Sequence, residues 1–441
     1  MRLLLVAPSR SEALVVAGRK MSMAPPMNLG IVASLTPPHW DVEIADENIQ
    51  TLDYDAKVDL VGITATTKTA SQAYSIAGGF RRRGVPVVLG GIHPSTLPEE
   101  SCAHADAVVV GEAENVWPRL IQDFENGRLE RIYRSSQLAA PESIPVPRRD
   151  LFKSKGYLTI DTVSTTRGCP YACSFCTVSR VFGQAFRLRP LDAVLREIDH
   201  LQAKTVYFID DNIVGNPRYA KDLFRALTPR KIRWAGQSSI SLARDQDLLR
   251  LAAASGCMGL FIGFESIDTE SLRQVGKKAN VVADYEAAVK RMHQHGLAVF
   301  GAFIFGFDED DEGVFERTVQ FARRAKLEGA QFNTLTPYPG TGIFAQLQKE
   351  GRLLTTDWSR YNMSDVVFAP KKMSPETLRQ GHDWAWREFY SLPSILDRLP
   401  LLRFRSMPSV LLLNWLYRRH WYGRRPEDRS DREPAIDPTA N

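Results

Sequence analysis

Three cysteines, Cys169, Cys173 and Cys176, stand at C-x3-C-x2-C spacing in the stretch TTRGCPYACSFCTVSR of a 441-residue chain that has five cysteines in all. Thiolates this close together hold zinc or an iron–sulfur cluster. A structural zinc takes four protein ligands, and no fourth stands nearby. His200 falls on an amphipathic helix pattern, Cys102 lies far upstream, and Cys257 in SGCMG reads as a small core residue. A four-iron cluster on three thiolates leaves one iron open to a ligand that is not protein. The cysteines are too few and too clustered for a disulfide framework, which points to a reducing, cytoplasmic compartment.

The elements that must position this loop repeat along the chain. DTVSTT, TVYFIDD, IRWAGQSSI, GLFIGFES, LAVFGAFIFGF and AQFNTLTPYPG read as buried strands, separated by helical patterns such as LDAVLREIDHLQ and DQDLLRLAAASG. Six β/α repeats suggest a partial barrel whose chemistry sits at the C-terminal strand ends, and the cysteines follow its first strand. Up to about residue 125, RLLLVAP, DVEIADEN, DLVGITATT, VPVVLGG and DAVVVGE alternate with helical stretches, one of which ends at Gly84, as in a doubly wound parallel sheet.

The fold class is therefore α/β: a Rossmann-like domain over 1–125, a proline-bearing linker over 126–157 and a partial (β/α)6 barrel over 158–355. A C-terminal helical region follows over 356–425, opened by Ser374 and Pro375 and expected to cap the barrel mouth, and 426–441 reads as a disordered tail.

CPYACSFC, with the aromatic Phe175 before its last cysteine, resembles the signature of the radical S-adenosylmethionine (SAM) superfamily. The resemblance implies that Cys169, Cys173 and Cys176 ligate a [4Fe–4S] cluster and that SAM occupies the open iron. It further implies that one electron from the cluster breaks the C5′–S bond of SAM, giving a 5′-deoxyadenosyl radical that abstracts hydrogen. Asp210 and Asp211 in FIDDN suit an ammonium group, and the resemblance places the SAM amine there; a turn capping the next helix is the other reading of Asp211. The resemblance also implies ribose contacts at Glu265, adenine packing near Gly301 and Gly306, and closure by the turn TPYPGT. Ser238, Ser239 and Lys277 are further candidates for the SAM carboxylate and ribose, with surface roles as the alternative.

The first sheet offers its own ligand edge, in TATTKTAS, GGIHPSTLPEE and GEAEN. Thr64, Thr66, Thr67, Gly90, Gly91, His93, Gly111 and Glu112 lie there, and the paired glycines let the backbone approach a large flat ligand. This order of segments resembles the cobalamin-binding domain of one radical SAM subclass, which contains C-methyltransferases, hopanoid methylases and tetrapyrrole-ring enzymes. DxHxxG, the motif that gives cobalt a histidine in other cobalamin proteins, is absent, so the resemblance implies cobalamin without that ligand; His93 reads as structural. The alternative is a domain that kept the fold and lost the cofactor.

Over roughly residues 1–390 the resemblance implies an enzyme that C-methylates an unactivated carbon of an apolar, lipid or polycyclic substrate, with methylcobalamin as methyl donor and a second SAM to restore it. An electron donor such as flavodoxin or ferredoxin is implied as a partner. The alternative within the subclass is a cyclase, ring-contraction or oxygen-insertion enzyme that transfers no methyl. A tRNA methylthiotransferase would need further cluster cysteines and an RNA-binding domain, neither of which is evident, and a cobalamin-binding carrier is the non-enzymatic rival.

The formal charge of +5 is local: seven arginines and no acidic residue lie between Arg398 and Arg425, and the rest of the chain is mildly acidic. A general nucleic-acid surface is thereby disfavoured. LPLLRFRSMPSVLLLNWLYRRHWYGRRP is too short in its apolar core to span a bilayer, but it mixes Leu, Trp and Tyr with arginine as interfacial helices do. Peripheral contact through 398–425 with the inner face of the membrane and packing on the barrel are the two readings. The opening MRLLLVAPSR has too short an apolar run for a signal segment and reads as a first strand.

Overall fold

A computed structural model describes residues 1–9, 14–16, 19–152, 156–183, 185–399 and 407–423; the expected tail at 426–441 lies outside them. The chain divides into two compact units. The first holds Met1–Gln237, Pro337–Gln346 and Trp358–Asn362; the second holds Ser238–Thr336, Leu347–Asp357 and the described residues from Met363 on.

The first unit is built on a parallel sheet of β1 (Arg2–Ala7), β2 (Asp41–Asp46), β3 (Leu60–Thr64), β4 (Val87–Gly90), β5 (Ala107–Val110) and β6 (Ile132–Arg134), in the order β2-β1-β3-β4-β5-β6. The near-continuous apolar runs of β1, β3 and β5 follow from helices on both faces. Leu3, Leu5 and Trp117 pack on one side, and Leu4, Ile76 and Phe80 on the other. Five of these strands are the expected ones. β6 lies in the stretch expected to be a linker, where Tyr133 is fully buried and Ala139, Phe152 and Tyr157 also pack inside. A three-residue strand is too short to show alternation, so the prolines dominated the local signal.

Three strands of the second series also belong to this unit: β7 (Thr162–Val163), β8 (Thr205–Phe208) and β9 (Arg233–Ser238), paired in parallel as Phe208↔Val163 and Phe208↔Gly236. The first compact unit therefore runs through the expected linker at 126–157 and on to the end of β9. The second unit carries β10 (Cys257–Glu265), β11 (Ala298–Phe305) and β12 (Gly329–Thr334), again parallel. A stack of Phe264, Phe303, Phe332 and Phe305 fills its core.

The helix Pro375–Phe389 starts as its sequence predicts, with the Ser374 side chain accepting from Thr377 N and Pro375 in the first turn. It was expected at the barrel mouth. It packs along the edge strand β12, where Trp386 Nε1 donates to Phe332 O at 2.7 Å, and its Leu378 lies against Gly306 beyond the end of β11. Just past the helix, Tyr390 OH donates to Ala330 O and accepts from Ala330 N. Edge-strand groups that would otherwise invite pairing are thus satisfied by side chains.

Candidate active site

The cysteine loop starts where β7 ends. Thr166–Arg167 pairs antiparallel with Arg187–Leu188, and the carboxylate of Asp210 accepts from the N–H and hydroxyl of both Thr165 and Thr166, at 2.5–3.1 Å. Asp210 is 1% exposed, and burial raises its pKa against the pull of those donors. It is committed to the backbone leading into the cysteines. Asp211 opens onto a cavity, and burial by the surrounding protein, with Asp210 beside it, pushes its carboxyl up to about 6. Asn216, not Asp211, caps the following helix by accepting from Tyr219 N at 3.0 Å.

Cys173 is buried and Cys169 and Cys176 are half-buried, as is Phe175. Burial, then the neighbouring Cys173, Asp211 and Cys169, pushes the Cys176 thiol up to about 12, so only a cationic ligand would make it a thiolate at neutral pH. Among the described residues no group of three or more His, Cys, Asp or Glu side chains is already placed to hold a metal ion. Three separate thiols on one loop fit a larger cluster. The TPYPGT turn reaches this loop: Ile343 N, just after it, donates to Ser174 O at 3.0 Å.

A cavity of about 440 Å³ lies in the first unit. Thr64, Thr66, Gly90, Gly91, Gly111 and Glu112 from the first sheet line it together with Ser164, Thr166 and Asp211 from the strands that carry the cysteine loop. Its deeper wall is apolar, formed by Leu5, Val88, Val109 and Trp117. Thr67 is buried outside it. Gly91 has φ +103°, and a Cβ there would come within 2.7 Å of Ala65 O, so fit against the neighbouring strand end requires glycine. His93 is fully buried outside the lining, 3.0 Å from Tyr74 OH and 3.3 Å from Glu100, with burial lowering its pKa. The cavity thus offers a flat ligand an apolar wall and a polar rim, with no histidine aimed into it.

Glu112, expected to meet cobalamin, has both carboxylate oxygens engaged by protein. Arg167 Nη1 donates to Oε1 at 2.9 Å, Arg187 donates to both oxygens at 2.8 Å, and Ala139 N donates to Oε2 at 2.8 Å. The sequence reading missed Arg167, Arg187, Glu114 and also Ser95, which accepts from Gly111 N and donates to Gly91 O. Arg167 could have been flagged beside the cysteine run; the others are too distant in sequence to have been.

In the second unit, Glu265 stands at the end of β10 after a register shift, with φ +63°, and accepts from Lys277 Nζ at 2.8 Å. A left-handed glutamate costs about 1–3 kcal/mol of strain and is found where a side chain must be aimed. Ser239 Oγ lies 2.6 Å from Ser241 Oγ, and Ser238 is buried. Gly306 has φ +101°, its amide donates to Asp310, and an added Cβ would meet Leu378 at 2.9 Å; Gly301 is enclosed by Leu327 and Phe303. Both glycines are accounted for by packing.

A cobalamin-type sheet domain followed by β/α strands with a three-cysteine loop defines the class as radical SAM enzymes carrying a cobalamin domain. Residues 19–121 match the B12 binding domain and residues 163–322 the Radical SAM superfamily. The chain is 34% identical to bacteriochlorophyllide d C-12(1)-methyltransferase of Chlorobaculum tepidum, over 94% of this chain and 91% of that protein. It is 26% identical to hopanoid C-2 methylase of Rhodopseudomonas palustris, over 83% and 74% of the two chains. The structure of TsrM from Kitasatospora setae, a radical SAM methyltransferase solved with cobalamin and a [4Fe–4S] cluster, matches its fold with a TM-score of 0.70 at 18% identity, covering 96% of this chain and 97% of that one. The chain belongs to the cobalamin-dependent radical SAM family, and its cofactors are a [4Fe–4S] cluster, SAM and cobalamin.

Proposed function

We propose that this enzyme C-methylates an unactivated carbon of an apolar polycyclic or lipid substrate. The observation that carries the reading is the cavity shared by sheet-edge residues Thr64, Gly91 and Gly111 and by cysteine-side residues Thr166 and Asp211, because a methyl donor and a radical source must face one substrate. When bound, the cluster and SAM supply a hydrogen-abstracting radical and cobalamin supplies the methyl group. Cys169, Cys173 and Cys176 hold the cluster, and Asp211 receives the SAM amine. Glu265 and Lys277 are assigned to the ribose side, and the rim threonines and glycines to the periphery of cobalamin. Likeness to tetrapyrrole and hopanoid methylases supports a polycyclic substrate.

No helix among the described residues is long and apolar enough to cross a membrane. Peripheral contact with the inner face of the membrane fits the helix Met407–Gly423, on which Leu411, Leu412, Trp415 and Tyr422 are exposed beside Arg418 and Arg419. A flavodoxin- or ferredoxin-type electron donor completes the reading.

Anaerobic protein reconstituted with iron, sulfide and hydroxocobalamin, then given SAM, reductant and chlorophyllide-type or hopanoid acceptors, tests it. A product heavier by one methylene unit, deuterated when methyl-labelled SAM is supplied, is the expected result. 5′-Deoxyadenosine with an unmethylated but altered product would favour cyclisation or oxygen insertion.

A further inference from the structure

Arg167 stands two residues before the first cluster cysteine, and its Nη1 donates to Glu112 at 2.9 Å and to Glu114 at 2.6 Å in the turn after β5. Across the two-stranded pair Arg187 takes the other side of Glu112 and donates to Ala139 O at 2.6 Å. All four side chains are between 3% and 15% exposed, where a bidentate, hydrogen-bonded cluster holds geometry firmly and a lost partner is costly. Two arginines and two glutamates sum to no net charge, so the cluster leaves the local potential nearly unbiased. Its sequence partners are 53 to 75 residues apart, which makes it a joint between two loops and not a local cap. Both loops face the same cavity: Gly111 on one side, Thr166 and Arg167 on the other.

We infer that Glu112, Glu114, Arg167 and Arg187 form an ionic clasp that sets the position of the cysteine loop relative to the Gly111–Glu114 turn, and hence of the cluster relative to cobalamin. These are positioning residues, and Glu112 acts on the cysteine loop through Arg167 and Arg187. The inference rests on the family's cofactors but not on methyl transfer.

The test uses full-length protein loaded with iron, sulfide and hydroxocobalamin and then reduced with dithionite, which supplies one electron to the cobalt and one to the cluster. Cob(II)alamin and the reduced cluster are both paramagnetic, so pulsed dipolar EPR reads their separation with no substrate present. Arg167→Lys keeps the charge and loses the fork; Glu112→Gln keeps the shape and loses the charge. Both are expected to stay folded by circular dichroism and to show a shifted or broadened separation, with iron affinity lower by about tenfold, as for outer ligand-supporting residues. A folded variant that binds cobalamin but loses iron also supports the clasp, since only the cysteine loop is then misplaced. An unchanged separation and unchanged iron content in both variants, with only a lower Tm, would overturn it. Failure to methylate any acceptor, with the separation responding as expected, would count against the proposed reaction and leave the clasp standing.

Discussion

Asp210 and Thr166 are joined twice: the threonine N–H and hydroxyl both donate to one carboxylate oxygen at 2.5 Å. The neighbouring Asp211 stands in the cavity. Two adjacent aspartates in FIDDN thus stand differently, one held by the start of the cysteine loop and the other lining the cavity. Asp210→Ala leaves four buried donors without an acceptor and is expected to cost about 2–4 kcal/mol, with loss of iron. Asp211→Ala is expected to keep Tm and iron and to weaken SAM binding about tenfold or more. Calorimetry, iron assay and equilibrium dialysis with SAM separate the two, and equal behaviour of the pair would sink the division.

Replacing Cys169, Cys173 or Cys176 singly by Ala is expected to abolish the broad iron–sulfur absorption while far-ultraviolet circular dichroism is retained. Cys257→Ala should keep iron unchanged, because Cys257 is buried on β10 with its thiol directed to Gly259 O. Iron retained in full by any of the three loop variants would remove that cysteine from the ligand set.

Stability should fall with rising pH through one buried group in the second unit. Asp310 accepts from Gly306 N, Phe307 N and Ser271 Oγ, but burial outweighs these neutral donors and pushes its carboxyl up to about 7. A carboxyl raised on folding stabilises fully below its unfolded value near 4 and loses that contribution as pH climbs to about 7, a change on the order of 2–4 kcal/mol. Urea unfolding of wild type and Asp310→Asn across this window checks it. Equal slopes in the two proteins would rule Asp310 out as the source.

His93 should be no ligand to cobalt. Its ring lies between Tyr74, Glu100 and Trp358, outside the cavity lining. The cob(II)alamin EPR spectrum of the loaded protein is expected to lack nitrogen splitting from His93 and to be the same in His93→Gln, which should lose stability alone. A change in that splitting would reverse the assignment.

The exposed stripe on Met407–Gly423 makes the peripheral reading measurable. Co-sedimentation with vesicles containing anionic lipid is expected, weak with neutral vesicles, and lost in Leu412→Asp together with Trp415→Asp. Equal recovery with neutral and anionic vesicles would remove the arginines from the explanation.

What the sequence determined by itself was whatever depends on local spacing. The alternation of apolar strands with helical patterns identified eleven of the twelve strands named above, the C-x3-C-x2-C run marked the candidate cluster loop, and strand ends located the candidate ligand residues. Each rests on periodicity or on neighbours within a few positions. Only tertiary structure decided which of those residues are free. Asp210 looked equivalent to Asp211 until Thr165 and Thr166 were found to consume it. Glu112, read as a cofactor candidate, is also held by two arginines 55 and 75 residues away. Tyr133 and Tyr157 drew an expected linker into the core. The physical reason is common to all: a buried polar or aromatic group is assigned its role by partners that arrive from distant segments, and one chain's local pattern carries no record of which partners those are.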